Sequence, residues 1–410
     1  ALAVGAWSQL ATPYVVLIIV KVVALIILGL LGASYRRFLI GRMTQGPSAR
    51  RFWGLVLVEF AFMGIASGVA AAIARTAPPI PDVPLDARTP AEYLTGAPLP
   101  PELTTAGWIT SWNVDVLWLL VVGFGAFFYL AGVWRLHRRG DAWPIYRTVL
   151  WLAGLALLFW VTTGAVAVYE QYLFSVHMVG HMLLTMAIPL LLVSGAPVSL
   201  AARAIVKRDD GTRGGREWIL WAVHSPAARI LTNPFVAAAL FILSLWVFYY
   251  TDLFRWSLYE HFGHLWMVAH FLITGYLFVL SLIGIDPVPF RLPYAGRLIL
   301  LIAIMAMHAF FGISIMMQSG LMAAEWFGAM GRTWGATPME DQYIGGGIAW
   351  SVGEIPTLIL AITVAIQWSR SDERMQRRRD RHADRTGDAE LDEYNARLAA
   401  LAVKDARIER

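Results

Sequence analysis

Apolar residues in this chain come in long unbroken runs, separated by short polar stretches. PYVVLIIVKVVALIILGLLG, starting at Pro13, is interrupted only by Lys21. A run of about 18 or more apolar residues reads as a membrane-crossing helix, because roughly 20 residues at 1.5 Å each traverse the hydrocarbon layer. The pattern predicts about nine such spans, at 13–33, 52–74, 114–134, 148–169, 173–196, 234–251, 262–285, 298–318 and 347–367. Lipid offers no partner for backbone amides, so spans of this length close their own hydrogen bonds as helices. The predicted fold class is all-α, a polytopic integral membrane helix bundle.

The polar stretches alternate in charge. One set carries seventeen Lys and Arg residues, among them Arg36, Arg50, Arg135, Arg139, Arg203, Arg216 and Arg291, while the opposite set has four, Arg75, Arg88, Arg255 and Arg332. Cytoplasmic loops retain the cations. The N-terminal segment is therefore expected outside and the C-terminal tail inside a bacterial plasma membrane. The net charge of +5 is then mainly a topology signal plus the tail, not a nucleic-acid footprint. The chain is 58% hydrophobic and only 15% charged, well below the charge of soluble domains. It has no cysteine, which excludes disulfides, thiolate metal sites and iron–sulfur clusters. Residue 1 is Ala and no charged segment precedes an apolar one, so no signal peptide is visible and a longer precursor is expected.

Four regions follow from these patterns. Residues 1–80 form a two-span front piece, and 81–113, with PPIPDVP and APLPPE, an external Pro-rich linker. Residues 114–368 form a seven-span body, and 369–410 a charged cytoplasmic tail. Within the body, KRDDGTRGG reads as a flexible loop and the Trp- and Met-bearing segment 319–346 as an interfacial cap.

Candidate chemistry sits inside the apolar runs. From Phe174 the chain reads FSVHMVGHMLLTMAIPLLL, apolar except for Ser175, Thr185 and two imidazoles, His177 and His181. Helix rise places them roughly 6 and 12 Å below the outer surface, His264 roughly 3 Å, His270 roughly 12 Å and His308 roughly 16 Å. Three helices thus offer imidazoles within one layer. His177 and His181 share a helix face, whereas His264 and His270, six apart, do not. Each intramembrane ionisable group is costly and is a functional hypothesis by default, against the plainer reading of a ring hydrogen-bonded between helices. Imidazoles with nearby thioethers, among them Met186, Met305, Met316 and Met317, favour copper as Cu(I) over hard cations. Any single Met is more readily core filler than ligand. Lys21 and Glu59, on neighbouring spans, are expected to form an ion pair. Glu354 is weighed as a partner orienting a ligating histidine.

HMVGHMLLTMAIPLLLVSGAP resembles the signature of the CtaG family of cytochrome c oxidase assembly factors. NPFVAAALFILSLWVFYYTDLF, HLWMVAHFLITGYLF and DQYIGGGIAW look like further blocks of that family in the same order, the likeness covering 115–367. In the front piece, KVVALIILGLLGASYRR and LVEFAFMGIASGVAAAIARTAPP resemble the C-terminal end of the copper resistance protein D (CopD) family. Together they look like a CopD–CtaG fusion. The resemblance implies copper handling on the outer face and assistance in maturing the copper centres of an oxidase. It assigns His177 and His181 to an HxxxH-like motif, His264 and His270 to a later block and His308 to the following helix.

The expectation is a non-enzymatic membrane protein that binds Cu(I), with cytochrome c oxidase subunits and the lipid membrane as partners. Two alternatives stand beside it. One is a haem-binding electron carrier, with His181 and His270 as axial ligands. The other is a copper or ion transporter, with Lys21, Glu59 and Glu354 as coupling groups.

Overall fold

Helices make up the regular structure of the computed structural model, which describes residues 12–34, 49–76, 88–207, 213–387 and 389–408. No strand occurs among the described residues. PPIPDVP, most of KRDDGTRGG and the loop cations Arg36, Arg37 and Arg42 lie outside them. Among the described residues, seven helices are long and apolar enough to cross a membrane, or eight if one sharply bent pair counts as a single span. The protein is a multi-pass, all-α membrane bundle.

By contacts the chain divides into two units, Ala1–Arg88 and Thr89–Arg410. The first holds α1 (Pro13–Ser34) and α2 (Ala49–Arg75), packed against one another. The apolar part of α2, Leu57–Ile73, is shorter than the other spans, which is one reason the count falls below nine. No ion pair within 4 Å joins Lys21 to Glu59, so the bond expected between these helices is not formed. Both residues are only partly buried.

The second unit starts with a cap rather than a loose linker. Thr89 and Glu92 close a capping box on α3 (Pro90–Thr95), which buries Ala91. The short α4 (Gly107–Thr110) follows. Thr95 bonds the Tyr172 hydroxyl at 3.1 Å, and the Tyr169 hydroxyl donates to the Pro101 carbonyl at 3.0 Å. Residues 89–113 are thus held on the body by tyrosines, a tie without hydrophobic periodicity to announce it.

The spans are α5 (Val116–Arg138), α6 (Ile145–Thr163) running on through α7 (Ala165–Tyr169), and a composite rod. That rod comprises α8 (Phe174–Met182), a π-helical turn (Leu183–Ala187) and α9 (Ile188–Ser194), with α10 (Pro197–Ala204) continuing it. The short α11 (Gly215–Val223) and α12 (Pro226–Leu231) lead to α13 (Pro234–Tyr250) and α14 (Asp252–Tyr259), bent by 75° at Thr251. Then come α15 (His261–Ile283), α16 (Tyr294–Met316), α17 (Pro338–Ser351), α18 (Glu354–Thr386) and the tail helix α19 (Ala389–Ile408).

Burial identifies the centre. In the rod from α8 and in α15, 61% of the apolar window is buried, against 11% in α5, whose exposed Phe124, Phe127 and Phe128 suit contact with lipid. Close approach at the centre depends on glycines. A β-carbon at Gly345 of α17 would stand 2.5 Å from the Phe174 ring, and one at Gly275 of α15 would collide with the Thr185 carbonyl. That carbonyl protrudes for a local reason. Pro189 has no N–H, so Thr185 cannot receive its bond from four residues on, and the helix widens into a π turn.

Candidate functional site

The N-terminus of α8 is capped from another helix. The Asp341 carboxylate of α17 accepts the Phe174 N–H at 2.6 Å and the Ser175 hydroxyl at 2.5 Å. Asp341 itself is 3% exposed. A negative charge at a helix N-terminus satisfies amides with no partner in their own helix and opposes the dipole favourably. This contact sets the rotation of α8 and therefore the direction of its histidines.

His177 and His181 point inward, 3% and 4% exposed. His177 Nε2 shares a 2.9 Å hydrogen bond with the hydroxyl of Tyr249, at the end of α13. The same tyrosine ring lies 5.8 Å from the His177 ring and 5.6 Å from that of His181, so it stands against both. His181 Nδ1 is buried without a hydrogen-bond partner. His308, His177 and His270 all lie near enough to His181 to interact with it electrostatically.

His308, on α16, is 1% exposed, and neither of its ring nitrogens has a partner. It faces the junction between α17 and α18. Pro356 cannot donate to Val352, and the helix breaks there. At that break, a β-carbon on Gly353 would lie 3.2 Å from Met186 Sδ and 3.5 Å from His308 Nδ1. Met186 belongs to the π turn, which thus turns a thioether toward the region of His308. Two proline-broken helices, one on each side, frame the deep imidazoles. Irregular membrane helices and π turns of this kind recur at functional sites.

The remaining predicted residues are dispersed. His264 Nε2 lies 3.2 Å from Glu170 Oε1, nearer the helix ends than the deep pair. His270 stacks on Trp266 with ring centroids 4.7 Å apart, and its Nε2 is buried and unpartnered. The two lie on different sides of α15, as a six-residue separation requires. Phe271 stands 4.3 Å from His181 and 5.5 Å from His270, so a flat macrocycle ligated between those two rings would have to displace it. Met317 is 80% exposed, and the Met316 side chain packs on Gly346. Neither methionine meets the deep imidazoles. Glu354 is exposed, and no hydrogen bond or ion pair joins it to a histidine. Among the described residues no three His, Asp or Glu side chains gather in metal-holding positions. The five-histidine layer is therefore not one all-imidazole cluster. Its deep members, His181 and His308, accompany a sulfur.

Three residues at the centre escaped the reading of the sequence: Asp341, Tyr249 and Glu170. Glu170 is 6% exposed, and one carboxylate oxygen approaches Gly180 of α8, where a β-carbon would meet it at 3.5 Å. The sequence signal was available, an acid just before an apolar run, in YEQYLF as in MEDQYIGGG. It was ambiguous, because acids at helix starts are usually caps or solvated.

Uncharacterized proteins of Mycobacterium bovis and Mycobacterium tuberculosis are each 42% identical to this chain over 313 residues, 76% of the chain and 47% of their own length. One of Mycobacterium leprae is 43% identical over 310 residues. The chain thus spans about half the length of these curated relatives. No solved structure matches it. Residues 127–371, from the middle of α5 through the break at Gly353 and into α18, match the family described as cytochrome c oxidase caa3 assembly factor, Caa3_CtaG, and the chain belongs to that family.

Proposed function

We propose that this chain binds Cu(I) between α8, its π turn and α16, and passes it to a cytochrome c oxidase during assembly of that enzyme. One observation carries the reading. His181 Nδ1 and both nitrogens of His308 are buried without partners, and Met186 Sδ and His308 Nδ1 lie 3.2 and 3.5 Å from the point where a β-carbon on Gly353 would stand. An unmet buried polar atom costs about 1–3 kcal/mol. A ligand that takes one nitrogen from each ring satisfies two of these three atoms and explains their persistence where a purely structural role does not. Two imidazoles and a thioether make a soft, low-coordinate donor set that suits a monovalent copper ion and would hold Ca²⁺ or Mg²⁺ poorly. The protein's part is to orient these donors and to exclude water; copper is cargo, and no bond-making catalysis is assigned to the chain.

The front unit is proposed to be the end of a CopD-like piece, on the blocks around Lys21 and Glu59. The inside location of the arginine-rich face is likewise proposed from loop charge.

The test is metal content. Full-length protein purified from copper-supplied cells is expected to carry about one copper per chain, as two imidazoles and one thioether require. The double variant His181→Ala, His308→Ala is expected to carry none and to leave cells with less copper-loaded oxidase. Equal copper in both proteins, with oxidase unchanged, overturns the proposal.

A further inference from the structure

At the arginine-poor end of the bundle lies a polar cavity of about 220 Å³. Glu170, His264, Ser257, Trp326 and His177 are among its walls, and it reaches the exposed turn at Tyr259, Glu260 and His261. His177 is the one deep histidine on its lining; His181, His270 and His308 are not. The cavity therefore ends at the first imidazole of α8.

From that point the polar groups continue inward in order. His181 follows on the same face, one turn deeper by roughly 6 Å. Tyr249 is packed against both rings. His308 and Met186 lie beyond, at the Gly353 break. Glu170 runs alongside the first part of this line. One oxygen holds His264 at 3.2 Å, and the other faces Gly180, which lies between His177 and His181. Gly180 keeps this position open, since a β-carbon there would also press on Val166 at 2.9 Å.

We infer that this cavity is the access route by which a soft monovalent cation reaches His181, His308 and Met186, with Glu170 the positioning residue whose charge offsets that of the ion in transit. The inference rests on the copper reading and adds where the ion passes. A cation leaving water for a low-dielectric interior meets a large desolvation cost, which a fixed carboxylate beside the path lowers. Glu170 touches the path but is not a ligand of the final site, since thioether and imidazole nitrogens supply that. Its removal is predicted to affect the rate of loading and not the amount loaded.

Ag(I), a redox-inert stand-in for Cu(I), tests this. Full-length protein in detergent is mixed with Ag(I), and bound silver is measured over time after desalting. Glu170→Gln is expected to load about tenfold more slowly, the size of a typical electrostatic rate effect, and to reach the same final silver per chain. Glu170→Asp, which keeps the charge, is expected to recover most of the rate. Thermal melting of both variants reports their fold. Wild-type loading with an unchanged Glu170→Gln rate overturns the route alone. So does a well-folded Glu170→Gln protein whose final silver falls as far as that of His181→Ala, His308→Ala. A wild-type chain that takes up no silver overturns the copper reading and the route with it.

Discussion

Two regions of the body, its arginine-rich end and the deep imidazoles, treat buried polar groups in opposite ways. At the arginine-rich end, Asp286 is 1% exposed, and its carboxylate accepts the N–H of Ser199 at 2.7 Å and of Val198 at 3.2 Å, capping α10. Arg297, also buried, donates to the carbonyls of Leu292 at 2.8 Å and Leu282 at 3.1 Å and lies 4.6 Å over the Tyr294 ring. Each of these hydrogen bonds ties side chain to backbone. Around His181 and His308 the nitrogens face apolar rings and a sulfur and make no such bonds. Buried charge that serves the fold is saturated by the fold. Buried imidazole left unsaturated points to something the chain itself does not contain.

That contrast can be broken by experiment. The largest effect is expected from Gly275→Ala, whose β-carbon meets backbone at Thr185; it should cost roughly 3 kcal/mol or more, or prevent folding, as read by detergent unfolding. Asp286→Leu comes next, with a loss of about 2–4 kcal/mol from two stranded amides and no effect on silver binding. Silver at a hundredfold excess over its dissociation constant should stabilise the wild-type chain by about 2.7 kcal/mol. His308→Leu should abolish that gain while changing metal-free stability by less than about 1 kcal/mol, because it removes unmet polar atoms without stranding a partner. A His308→Leu protein as damaged as Asp286→Leu would place both regions under the same structural rule and remove the case for a ligand. Tyr249→Phe strands the buried His177 Nε2 and is expected to cost about 1–3 kcal/mol, read by the same unfolding measurement.

Hydropathy alone marked where the helices run, because lipid allows a spanning segment few alternatives. The expected span at 262–285 and the observed His261–Ile283 nearly coincide. Breaks were less visible. Pro189 and Pro356 stand plainly in the sequence, yet a proline within an apolar run does not say whether the helix kinks, widens or stops, since neighbouring helices decide which carbonyls are re-satisfied. Of the candidate residues, His177, His181 and His308 are brought to the centre, while Met316, Met317 and Glu354 turn elsewhere. Sequence distance assigns each residue a depth and a face on its own helix but not which neighbour that face meets.

Amino-acid order was therefore sufficient for class and for where most of the spans run, both of which depend on local rise and on the cost of exposing polar groups to lipid. The pairing of Asp341 with the start of α8 and of Glu170 with His264, and the approach of Met186 and His308 to Gly353, arose only when separate helices packed. These contacts join residues up to 167 positions apart, and helix rotation about its axis is set by glycine clearances and interhelical hydrogen bonds rather than by any local pattern.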